Sequence, residues 1–205
     1  MKHSSTRELY AYWNTRRGDQ PAPHRADIDP AVIRHSLSDI FILAADFVEE
    51  QRFRLAGTRV CALFARELKG ESFASLWTEK SKDHLRLLLE NVTEDNAAIV
   101  AGVVGRNDDG NPLDLELLLL PLMHKGHARV RAIGVLAATE LPFWLGARPV
   151  KDLALGTVRH LGGELDNRPR RFAAHLGGQL RRGLMVYQGG MDHSAHSRDV
   201  TQHSE

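Results

Sequence analysis

Residues 112–122, PLDLELLLLPL, constrain the fold more than any other stretch of the chain. Successive side chains of a strand alternate between faces, so Leu113, Leu115, Leu117 and Leu119 share one side. The other side starts with Asp114 and Glu116 and ends with Leu118 and Leu120. One face is therefore wholly apolar, and the second is polar at one end only. The apolar half of that second face needs a cover, supplied by a helix of the same chain or by a partner.

The flanking segments make this strand the middle of a meander. Ala98–Arg106 precedes it across an Asp-Gly turn at 109–110, and Ala128–Ala138 follows it after Gly126. Upstream, Leu85, Leu88, Leu89 and Val92 recur at helical spacing and predict a helix over 81–93. Before that lie two short strands, 40–46 and 52–56, joined by a polar connection at 48–51. Ser5 and Glu8 have capping-box spacing and predict a helix over 5–17 with Leu9 and Trp13 on one face. Asp29-Pro30 predicts a second short helix carrying Ile33 and Leu37. Leu153, Leu155, Val158 and Leu161 fit a helix and a strand equally well.

Composition narrows the class more than the function. With 27 Lys+Arg against 26 Asp+Glu the net charge is +1, which argues against a globally basic nucleic-acid binder. The lone Cys61 excludes an internal disulfide and a thiolate metal cage. No apolar run reaches the roughly 18 residues a membrane helix needs, and MKHSSTRELY has no secretory apolar core. These features predict a cytoplasmic chain. Five arginines and no acid fall within 168–182. This stretch reads as a solvated segment or a contact for an acidic partner, a nucleotide second messenger or nucleic acid. His193, His196 and His203 fall in a tail that reads as disordered.

The order of strand, strand, short helices, longer helix and three-strand meander resembles the architecture of a PAS domain. Gly57-Thr58-Arg59-Val60-Cys61-Ala62-Leu63-Phe64 followed by Glu67-Leu68-Lys69-Gly70 is similar to the PAS stretch after the second strand. Tyr12-Trp13, Arg25, Asp27-Ile28-Asp29-Pro30 and Phe53-Arg54-Leu55-Ala56-Gly57-Thr58 look like the short bacterial stand-alone proteins built on one PAS domain without an output domain. The resemblance implies an α+β PAS fold. Its five-stranded antiparallel sheet carries short helices and one longer helix on one face, preceded by N-terminal helices. Residues 1–37 would form the helical extension and 38–140 the PAS domain. Residues 141–205 would form a C-terminal extension with the basic segment and the tail. One position departs from the family: Ala65 stands where members generally place glycine.

A PAS resemblance implies a regulatory or sensor protein in bacterial signal transduction, acting through contacts with signalling proteins. A homodimer is expected through Leu9, Tyr10, Trp13, Leu118 and Leu120. The alternative is a sensor of a small ligand, a metabolite or haem, held between sheet and long helix by Trp77, His84, Leu88, Leu115 and Leu117. The plainer reading of His84 is an exposed histidine at a helix start. Cys61 lies outside the Asn-Cys-Arg-Phe-Leu-Gln motif with which one PAS branch attacks flavin, and reads as a small buried hydrophobe. No nucleophile elbow, zinc-protease motif or phosphate loop is present, so no enzyme, metal or required cofactor is expected, and nucleic acid is not an expected partner. On this reading, Leu9→Asp or Trp13→Asp weakens a homodimer measured by light scattering.

Overall fold

A computed structural model describes residues 1–45, 50–123 and 131–161, together with the backbone of 179–181 and 184–186. The strands β1 (Ile40–Ala45), β2 (Gln51–Ala56), β3 (Ala98–Arg106), β4 (Pro112–Leu122), β5 (Arg131–Ala138) and β6 (Asp152–Leu161) form one sheet. Its order is β2-β1-β5-β4-β3-β6, and every neighbouring pair is antiparallel. The helices are α1 (Ser4–Arg17), α2 (Thr58–Leu63) and α3 (Glu79–Thr93). A short ribbon of β7 (Gln179–Arg181) and β8 (Leu184–Val186) stands apart from the main sheet. The fold is α+β, as the PAS resemblance implies.

The sheet has six strands rather than five, and the sixth lies in the segment expected to be a C-terminal extension. The sheet therefore continues past residue 140. β6 pairs with β3 and is interrupted by a bulge, where Gly156 and Thr157 face the single residue Gly102. The bulge explains part of the ambiguous pattern: it turns Leu155 and Val158, three residues apart, to the same inner layer, whereas Leu161 packs against the outer one. The start of α3 is stitched to this strand. The Thr78 N–H donates to the Leu153 carbonyl at 2.9 Å, and the Leu155 N–H donates to Ser81 Oγ at 3.0 Å.

Two apolar layers sandwich the sheet. The inner one joins Leu113, Leu115, Leu117 and Leu119 to Leu85, Leu88, Leu89 and Val92 of α3. Phe41, Phe53 and Phe73 extend it with ring centroids 5.5–5.7 Å apart. The outer layer joins Leu118, Leu120 and Leu122 to Leu9 and Trp13 of α1, with Ile28 and Ile33 from the connection that follows. α1 is thus the cover that the leucine-rich β4 requires.

Three local expectations are corrected. The cap of α1 is His3, whose side chain accepts the Ser5 N–H at 3.2 Å. Ser5 and Glu8 do not form a box, because both side chains are engaged by the turn before β1. Residues 30–36 form consecutive turns, not a helix, with the Ala31 N–H on Asp29 Oδ1 and the Ser36 N–H on the Ile33 carbonyl. Of the expected stripe only Ile33 is buried, while Leu37 is exposed. The connection at 46–49, most of the arginine-rich segment and the histidine tail lie outside the described residues.

The family-like residues sit at the joints. The Tyr12 hydroxyl accepts the Asp29 N–H at 2.8 Å, and the Trp13 indole N–H donates to the Pro121 carbonyl at 2.8 Å. The Arg25 N–H donates to the Met123 carbonyl at 3.0 Å. Gly57 lies so close to the preceding turn that a Cβ there would be 2.3 Å from the Leu37 carbonyl oxygen. Ala65 has a left-handed backbone, at φ 49°. An L-residue there is strained, and glycine relieves that strain while adding freedom to the unfolded chain. Ala65→Gly is therefore expected to stabilise the fold by about 0.5–1 kcal/mol in denaturant unfolding. Gly57→Ala is expected to cost about 1–3 kcal/mol in the same assay.

Candidate functional site

The seam between α1 and the outer face of the sheet brings together side chains that the sequence scatters over more than a hundred positions. Its centre is apolar and its rim is polar. Leu9, Leu118 and Leu120 are fully buried, and Trp13 nearly so. Tyr10 is half-buried and stacks on Trp13 with centroids 6.2 Å apart. Leu9, Trp13, Leu118 and Leu120, expected to form a surface for a second copy, are instead consumed within one chain. Burying side chains of this size stabilises by roughly 1.5–3 kcal/mol each, so the cover is held firmly at its centre.

Three carboxylates fasten the rim. Asp39, buried just before β1, accepts Arg59 Nε and Nη2 at 2.7 Å each and Ser5 Oγ at 2.6 Å. One carboxyl group thereby ties together α1, β1 and α2. Its hydrogen bond holds the Arg59 guanidinium above its ordinary value, desolvation working against it. Glu8 accepts the Ser36 hydroxyl. Glu116 stands on the outer face of β4 and is itself buried. It accepts the backbone N–H groups of Lys2 at 2.7 Å and His3 at 3.0 Å. Burial alone would raise its carboxyl, but those two N–H groups, with the Thr6 side chain and the N-terminal ammonium, together outweigh the penalty and hold it below the usual carboxylate range. A carboxylate beside the first N–H groups of α1 also complements the helix dipole.

The residues expected to line a ligand cavity fall mostly in the inner layer. Trp77, Leu88, Leu115 and Leu117 belong to one continuous apolar cluster. The indole N–H of Trp77 is buried there without a hydrogen-bond acceptor, and its ring meets Phe73 edge-on at 5.7 Å. His84 is half-buried on α3, beside core residue Leu85. Cys61 is buried in α2, with its Sγ 3.9 Å from the Ala56 carbonyl and 3.8 Å from Glu67 Oε2. Among the described residues no group of three or more His, Cys, Asp or Glu side chains is arranged to hold a metal ion. No described helix is long and apolar enough to cross a membrane.

Sequence reasoning did not single out Asp39, Arg59 or Glu116 as site residues. A signal was present for two of them. Glu116 is an acid on a strand face that turns to leucine two residues later, and Asp39 directly precedes an apolar strand. An acid so placed is buried only when donors meet it.

A six-stranded antiparallel sheet thus carries helices on its inner face and an N-terminal helix across its outer face. The PAS domain family model matches residues 1–137, and the chain belongs to that family. Among solved structures, one from work on a flavin analogue and the light-oxygen-voltage domain mechanism is similar with a TM-score of 0.42 and 12% identity. The match covers 57% of this chain and 87% of that one. An RNA-binding light-oxygen-voltage receptor is similar with a TM-score of 0.41 and 18% identity, covering 53% of this chain and 33% of that one. No curated protein matches.

The lowered Glu116 carboxyl sets the direction of a pH effect. A group depressed in the folded state contributes stability above its unfolded value, about 4.3 for glutamate, and loses it as pH falls through the folded value. Glu116→Gln is expected to cost about 1–2 kcal/mol at neutral pH and to flatten the acid limb of the stability profile. Thermal unfolding of both proteins between pH 3 and 7 checks this.

Proposed function

We propose that the chain is a cytoplasmic, non-enzymatic regulatory module of bacterial signal transduction whose output is the docking of α1. One observation carries the reading: an apolar seam is closed within the chain by a helix whose rim is fastened through carboxylates. Charge-dependent anchors around an apolar contact make a cover that a small bias can release. With α1 docked, the leucine-rich outer face is covered. With α1 released, Leu118 and Leu120 on the sheet, and Leu9, Tyr10 and Trp13 on the helix, become surface for a signalling protein or a second copy. The homodimer belongs to this released form.

A second reading has its own support. The unpaired Trp77 indole N–H in the inner layer favours a small ligand that offers an acceptor beside Leu88, Leu115 and Leu117. Native mass spectrometry of the protein as purified reads this directly. Added mass that is lost in Trp77→Phe supports a ligand there, and an apo mass counts against it.

Loosening the rim tests the main reading. Asp39→Asn and, separately, Glu116→Gln are expected to raise apolar-dye binding and shift the protein from monomer to dimer in light scattering. Backbone exchange in α3 should stay at the wild-type level. Adding Tyr10→Asp should reverse the shift. Loosened variants that remain monomeric with wild-type dye binding would contradict the proposal.

A further inference from the structure

Beside the seam lies a cleft of about 670 Å³ between the start of α1, the turn before β1, α2 and the loop after β5, with Leu63 and Leu136 of the inner layer in its lining. This size falls within the range of small-molecule sites. One wall is polar and carries Glu8, Ser36, Asp39 and Arg59; the facing wall carries Leu141, Pro142 and Leu145. Leu141 is 78% exposed, an apolar side chain of the wall left open to water.

With its two histidines, His3 and the exposed His35, counted as neutral, the formal charges in this cleft are not balanced. Asp39 and Arg59 neutralise each other through their two-pronged contact. Glu8 is half-buried and bonded to the neutral Ser36 hydroxyl, and among the described residues no cation pairs with it. The cleft therefore offers one uncompensated carboxylate against an apolar wall. We propose that it binds a small singly charged amine, a primary ammonium on an apolar or aromatic body. The ammonium supplies the counter-charge that Glu8 lacks, and the body covers Leu141, Pro142 and Leu145. A carboxylate ligand of the same shape would meet the uncompensated Glu8 and be repelled; a neutral one would leave Glu8 without a counter-charge. Because Glu8 and Ser36 join α1 to the turn before β1, such an amine strengthens the docked state.

The coupling to α1 rests on the proposed release of that helix, whereas binding does not, and the two are read separately. Phenethylamine, 2-phenylethanol and 3-phenylpropionate are titrated into the full chain and followed by backbone and methyl NMR shifts. Saturable shifts at Glu8, Ser36, Leu141 and Leu145 are expected with phenethylamine alone. Glu8→Gln, which keeps a hydrogen-bond acceptor for Ser36, should weaken binding about tenfold or more, as loss of a charge-assisted contact implies. Leu141→Ser, at an exposed position that the fold does not need, should weaken it several-fold. Absent shifts with phenethylamine, an unchanged response in Glu8→Gln, or equal binding of 3-phenylpropionate would overturn the assignment. So would binding of acetyl-Gly-Lys-Gly-amide without phenethylamine, which would make the ligand a peptide. Coupling is then read from α1 exchange in the presence of phenethylamine. Slower exchange is expected, and unchanged exchange with intact binding would refute the coupling and leave the site standing.

Discussion

The buried carboxylate of Asp39 is the contact on which the rest of the arrangement depends. A carboxylate removed from water is tolerated only when donors replace its hydration, and here a guanidinium and a hydroxyl do so. Those donors come from α2 and α1, while Asp39 itself leads into β1. The contact therefore fixes where the N-terminal helix meets the sheet. It also fixes where the chain turns after β2, since Gly57, one residue before α2, packs against the carbonyls of the same turn. Removing one partner leaves a buried charge unmet, which costs more than the pair contributes.

From that joint the two faces of the sheet take different roles. The inner face is filled by aromatic and aliphatic side chains packed under α3, and among the described residues the Trp77 indole N–H has no acceptor there. The outer face is closed by α1 and the connection that follows it. Its apolar centre gives most of the adhesion, and its carboxylate rim gives the adhesion its sensitivity to charge. On the proposed reading, regulation is a shift between this docked state and a released one. The cleft at Glu8 lies beside the start of α1, where the proposed amine would favour the docked state.

Much of this was legible in the sequence. The leucines at 113–120 gave both faces of β4, including the need for a cover, because strand alternation leaves no other reading. The element order and the Gly57 and Gly70 segments led to the PAS fold. Less legible was β6, whose bulge at Gly156 and Thr157 replaced a two-residue period with a three-residue one. The start of α1 was misassigned because Ser5 and Glu8 have capping spacing but are bonded by Asp39 and Ser36, contacts far away in the chain. The same long-range bonding hid the site. Local patterns report periodicity, whereas Asp39, Arg59 and Glu116 matter through partners that only the folded chain supplies. Leu9 and Trp13 were recognised as an apolar stripe, but a stripe does not say whether its partner is the same chain or another.

The most direct test of the central claim is hydrogen exchange at the Trp13 indole of the wild-type protein, measured by NMR over a range of concentrations. That N–H donates to the Pro121 carbonyl beneath α1. A helix docked within each chain predicts a strongly protected indole proton, with the same protection at dilute and concentrated protein and a loss of protection in Asp39→Asn. An indole that exchanges freely in dilute protein and becomes protected only as concentration rises would show the cover to come from a second chain, and would contradict the account.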